Sequence, residues 1–207
     1  GGALPADLQH TRWMIFMNEA DKNHLYQPEL RANANGHSTD LLRRHFEQAG
    51  TRESLAQQQY VDIKTYLADN ILTKVDRMSM AVSLETRVPL LDHRIVEFAL
   101  NLPAHLKLNR GRTKVILRRA MQDRLPDAVL NKPKQGFSIP LKHWLRGPLR
   151  PMMTDLLAPN SINQGGFFNP RTVQQWVTEH LNEQVNHSHR LWSLMLFQLW
   201  QQKTLVS

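Results

Sequence analysis

Apolar residues recur at helical spacing along most of the chain, and no stretch alternates convincingly with period two. The clearest case is Val173, Trp176, Val177, His180 and Leu181, which follow the i, i+3, i+4, i+7, i+8 rule. Asn169-Pro170 just before them reads as a helix start with proline in the first turn. Ser188 is a candidate cap for a last helix that sets Leu191, Met195 and Leu199 beside Trp192, Leu196 and Trp200. Nearer the start, a short helix is predicted over 7–19, and Asn33 to Gly36 compose a turn. Thr39 can cap a helix burying Leu42, His45, Phe46 and Ala49 and stopping at Gly50. A further helix is predicted over 52–67, with Tyr60, Ile63 and Leu67 in line. Asp92 can cap one carrying Ile95, Val96, Phe98 and Ala99 that ends before Pro103, and Thr113 one that runs to position 123. Residues 126–170 hold seven of the eleven prolines, which predicts mostly loop with short helices.

One run breaks the ordinary pattern. Between Asp76 and Asp92 the ionisable groups Asp76, Arg77, Glu85, Arg87 and Asp92 alternate with apolar residues such as Met78, Met80, Val82 and Leu84. Charges in such company are costly to bury unless paired, so Arg77 and Arg87 are expected to find carboxylate partners. The run reads either as an ion-paired packing junction or as the wall of a site that holds a polar substrate. On the residues alone, Met78 and Met80 read as core.

Composition narrows the choice. The chain has 207 residues, enough for one domain with a sizeable core, and a net charge of +8, which favours an anionic partner: a nucleotide, a polyphosphate, nucleic acid or an acidic protein surface. It has no cysteine, so neither a disulfide nor a thiolate metal site is available. No apolar run approaches the length of about 20 residues that spans a bilayer. No signal peptide is evident and the chain does not begin with Met, so a truncated cytoplasmic chain is expected. Lys107, Arg110, Arg112, Lys114, Arg118 and Arg119 form a basic cluster, either a solvated face or an anion-facing wall. His180 falls on an apolar helix face and His187 and His189 flank a cap, so no zinc site is expected. The tryptophans Trp176, Trp192 and Trp200 read as core.

Three motifs lie in order: the run from Asp76 to Leu91-Asp92; Lys132-Pro133-Lys134-Gln135-Gly136-Phe137-Ser138-Ile139-Pro140 with Trp144-Leu145 after it; and Asn186-His187-Ser188-His189-Arg190-Leu191-Trp192 running into Phe197 and Trp200. Together they resemble the carboxy-terminal part of the asparagine synthetase family's ATP-dependent synthetase domain, over roughly 11 to 203. The resemblance implies a mainly α chain: the helical carboxy-terminal portion of an α/β adenine-nucleotide synthetase domain of the PP-loop type, spanning 1–207. The family's ATP loop, S-G-G-x-D-S, and its S-G-E-G-x-D-E loop are absent from this sequence, as is the glutaminase cysteine. The amino-terminal part of the same protein is therefore the expected partner.

By the same resemblance, Lys134 faces the phosphates and the reacting carboxyl and stabilises charge as pyrophosphate leaves. Pro133 pushes residue 132 towards extended backbone and Gly136 permits a tight approach, which suits a lysine held in a shaped loop. Asp69 and Glu85 are candidates for a base or orienting role, Asp69 at the level of a glutamate used in the β-lactam synthetase branch. Arg87, Asp76 and Arg77 are candidates for substrate binding or for ion-paired support of the site. The implied substrates are aspartate, ATP with Mg2+, and ammonia derived from glutamine. A related adenylating enzyme with another carboxylate, of β-lactam synthetase or lasso-cyclase type, fits the same motifs. A non-enzymatic basic helical module fits the charge, although the cluster lacks interleaved aromatics and any nucleic-acid motif.

Overall fold

A computed structural model describes residues 6–34, 36–133, 135–136 and 139–204. The elements in chain order are α1 (Ala6–Met14), α2 (Glu19–Leu25), α3 (Pro28–Asn33), α4 (Ser38–Gln48), α5 (Ser54–Asp62), a π-helical segment (Ile63–Leu72), α6 (Thr73–Met80), a 3-10 turn (Pro89–Leu91), α7 (His93–Asn101) and α8 (Ala104–Lys107). A hairpin of β1 (Leu108–Asn109) and β2 (Arg112–Thr113) follows. After it come α9 (Val115–Ala120), α10 (Asp127–Leu130), α11 (Leu141–Arg146), α12 (Arg150–Leu156), α13 (Pro159–Gly165), α14 (Pro170–Leu181) and α15 (Ser188–Thr204). The chain is mainly helical, as the apolar spacing predicts. It divides into two compact units: one holds residues up to Thr11 and Thr39–Gln135, the other Arg12–Ser38 and Gly136–Ser207.

The second unit carries a full core. Leu145, Met153, Leu157, Ile162, Val173 and Leu191 are buried completely, together with Leu25 from the early segment. Backbone bonds fasten that early segment: Gln27 N–H donates to the Phe167 carbonyl at 2.9 Å and Asn169 N–H to the Leu25 carbonyl at 2.7 Å. At the start of α2, Asn18 and Asp21 close a reciprocal capping box, which satisfies two otherwise orphan N–H groups. Asn169 caps α14 as predicted, its Oδ1 accepting from Arg171 N–H at 3.0 Å, and Val173, Trp176, Val177 and His180 are buried. At the last helix the outcome differs. Ser188 is the first helical residue, and the side chain of Asn186 accepts its N–H. The Leu191–Met195 stripe is buried, while Leu196 and Trp200 are about half exposed, so Trp200 is not core. The proline-rich stretch is more helical than expected, because Pro151, Pro159 and Pro170 occupy first-turn positions, where no N–H is needed.

The first unit is thinly cored: among the described residues its buried hydrophobic side chains are Leu42, Phe46 and Val61. Its long rod runs without interruption through α5, the π segment and α6, where the apolar spacing predicts a helix ending near 67. Across Ile63–Leu72 the ladder widens to i→i+5 bonds. Thr65 and Thr73 place hydroxyls on the carbonyls of Val61 and Ala68, at 2.7 and 2.9 Å, near the two ends of the segment. Asp92 caps α7 as predicted, accepting from Arg94 N–H at 3.0 Å. Thr113 does not cap α9. It pairs with Leu108 in the hairpin, and Lys114, in left-handed backbone at φ 57°, leads into the helix.

Candidate functional site

The run from Asp76 to Asp92 crosses the end of α6, a turn with Ser83 in left-handed backbone (φ 58°), an extended stretch and the 3-10 turn before α7. Most of its side chains are exposed. Met78 is 64 % and Met80 55 % accessible, so neither is core within this chain, and Val82, Leu84, Val88 and Leu90 are equally open. Arg87 finds its expected carboxylate, with Nη2 2.5 Å from Glu85 Oε1, but the pair stands in solvent rather than in a packed interior. Arg77 makes no ion pair among the described residues. Asp76 and Arg77 lie on α6 and Asp69 on the π segment, all exposed. The π geometry is the feature that apolar spacing alone misses, because it changes which residues share a face of the rod with Asp69.

An exposed pair of this kind is worth little to folding. Glu85→Gln in this chain is therefore expected to shift the melting temperature by less than about 2 °C. A large drop would mean that the carboxylate supports the fold. Asp92 is held differently. Arg94 clasps it with two side-chain bonds of 2.9 and 2.8 Å, and this hydrogen bonding holds the carboxyl below the usual carboxylate range.

Lys134, Phe137 and Ser138, in the second motif, lie outside the described residues. Around Gly136 no close approach is seen: a Cβ built there meets nothing within 4 Å, so a neighbour's proximity does not require the glycine in this chain. Lys107, read with the basic cluster, bonds instead to the Gln59 side chain and the Leu100 carbonyl. Arg110, Arg112, Arg118 and Arg119 remain together and line a cleft.

The third motif builds an anchor inside the second unit. His187 donates from Nε2 to Glu179 at 2.6 Å and accepts on Nδ1 from Arg190 at 3.2 Å. Arg190 also reaches Asp21 at 2.6 Å and lies 5.1 Å from the centre of the Trp176 ring. The bond from Gln175, and then that from His187, hold the Glu179 carboxyl below its ordinary range. His180 is fully buried, and its Nδ1 accepts the His187 N–H at 3.2 Å. With that lone pair engaged, its proton sits on Nε2. Desolvation, aided by the charge of Arg146, depresses its pKa from 6.5 to about 4.

Among the described residues no helix is long and apolar enough to cross a membrane. No solved structure matches the chain. Several curated relatives match most of it. Asparagine synthetase [glutamine-hydrolyzing] 1 of Bacillus subtilis is 32% identical over 168 residues, covering 81% of this chain and 26% of the relative. A putative asparagine synthetase [glutamine-hydrolyzing] of Mycobacterium bovis is 37% identical over 163 residues, covering 78% of this chain and 25% of the relative. The chain thus spans about a quarter of the length of the curated relatives it matches. The Asparagine synthase family model matches residues 4–202, almost the whole sequence, with all three motifs inside that span. The chain therefore belongs to the asparagine synthase family.

Proposed function

We propose that this chain is the carboxy-terminal, mainly helical part of the synthetase domain of a glutamine-dependent asparagine synthetase. In the whole protein aspartate would be activated by ATP as a β-aspartyl adenylate with release of pyrophosphate. Ammonia from glutamine would then displace AMP and give asparagine. The observation that carries this reading is the family match over 4–202 by a chain that spans a quarter of its relatives. The exposed apolar run of the first unit supports it. Met78, Val82, Leu84 and Leu90 open to water are what a surface looks like when its partner is the remainder of the same protein.

Roles follow from chemistry. The Lys134 ammonium, a compact point charge, would neutralise charge on the phosphate oxygens as pyrophosphate departs. Asp69 or Glu85 would orient or deprotonate the attacking amine. Arg87, with Asp76 and Arg77, would hold the polar ends of the substrate once the amino-terminal part covers them. Mg2+ entering with ATP would be held by the phosphates and mainly by carboxylates of the parts of the protein outside this chain.

The test is ATP–pyrophosphate exchange by the whole protein across a panel of carboxylic acids. Exchange that depends on aspartate is the expected result. Exchange indifferent to aspartate and driven by a different acid would move the protein to a related amide-forming reaction.

A further inference from the structure

The hairpin and α9 after it place four guanidiniums around one cleft of about 530 Å3: Arg110, Arg112, Arg118 and Arg119. One carboxylate, Asp127, shares the lining. None of the four makes an ion pair among the described residues. Like charges lining one cleft repel, and a cluster without ion-pair partners is relieved by a multivalent anion.

The backbone fixes the cluster. Arg110 and Gly111 take the left-handed conformation, at φ 46° and 78°, as a two-residue hairpin turn demands. This puts Arg110 in the turn itself and Arg112 at the start of the strand that leaves it. Arg118 is tethered by Nε to the Thr113 carbonyl at 3.0 Å, which restrains one guanidinium before any ligand arrives. The side-chain amides of Asn109 and Gln122 add neutral donors to the lining. The volume is that of a small-molecule site, too small to seat a nucleic-acid duplex. Guanidinium forks match phosphate oxygens two at a time.

We propose that this cleft binds a compact polyphosphate anion, of two or three linked phosphates, through Arg110, Arg112, Arg118 and Arg119. The proposal rests on the arginines alone and not on the synthetase reaction, since none of the residues assigned to that reaction lines the cleft.

Calorimetric titration of the 207-residue chain with inorganic triphosphate and with pyrophosphate, at 0.15 M salt, is the test. Saturable one-to-one binding of triphosphate is expected. The double variant Arg118→Gln/Arg119→Gln is expected to weaken it by about tenfold or more, because two charge-assisted contacts are lost. Glutamine keeps the helix propensity of α9, and a melting curve confirms that the variant folds. Arg112→Gln, on the strand, is a second variant that does not touch that helix. Arg43→Gln, outside the cleft, is expected to leave binding unchanged. Absence of saturable binding overturns the proposal. So does binding that both cleft variants leave intact, or stronger binding of an acidic peptide than of triphosphate, which would make the cleft a protein contact.

Discussion

Replacing Lys134 by alanine in the whole protein is expected to lower kcat/KM for aspartate-dependent ATP–pyrophosphate exchange by two orders of magnitude or more. This corresponds to about 3 kcal/mol of lost transition-state stabilisation, the size seen when one preorganised electrostatic donor is removed from a reaction centre. The loss is expected in kcat rather than KM, because in the proposed reaction the charge that Lys134 would meet develops only as the bond to pyrophosphate breaks. Lys134→Arg should not restore activity, since a planar fork cannot take the place of a compact ammonium. Melting temperatures of both variants should match the parent. Unchanged exchange in the alanine variant would remove Lys134 from the reaction, and a matching fall in stability would give it a structural role.

The second large effect is on acid stability and belongs to His180. Its folded pKa of about 4 lies below the 6.5 of an unperturbed imidazole, so the unfolded chain binds the extra proton between these values. The stabilisation is therefore complete above pH 6.5 and declines as the pH falls towards 4. The loss is about 3 kcal/mol over that window, because the ring is fully buried. Glu179, whose carboxyl is held low, acts in the same direction but only below its ordinary value of 4.5. Chemical denaturation at pH 7.5, 6.0 and 5.0 measures the slope. His180→Asn retains an acceptor for the His187 N–H and cannot take up a proton. It is expected to be less stable at pH 7.5 but nearly flat between 6.5 and 4.5. An unaltered slope would assign the acid sensitivity to other groups.

How far the chain could be read in advance depended on where each interaction is encoded. Helix α14 was legible because its cap, its first-turn proline and its apolar stripe all lie within a few residues. So was α7, through Asp92. The hairpin was not, because strands of two residues are too short to alternate, and Arg110-Gly111 is not among the common turn pairs. The π segment was hidden for a different reason: an i→i+5 ladder depends on backbone packing and leaves no period in the sequence. For the run from Asp76 to Asp92, the sequence told that apolar and charged residues belong together. It could not tell whether their cover comes from the same chain, and Met78 and Met80 proved open. The Glu85–Arg87 pair was legible as a pair but not as an exposed one. Lys134, which lies outside the described residues, was read only through its motif, since a lysine between Pro133 and Gly136 has no periodic signature.

The second unit is assembled from two segments that are separated in the chain by the whole of residues 39–135. A proteolytic nick anywhere in that intervening stretch would therefore not release it. Leu25 would remain sealed among the core side chains, the Gln27–Phe167 and Asn169–Leu25 backbone bonds would persist, and Arg190 would still hold Asp21. The cut protein would run as two pieces under denaturing conditions and as one particle under native ones. What the nick removes is the tether's effective concentration, so the two halves, once unfolded, would have to find each other by diffusion before they could reassemble.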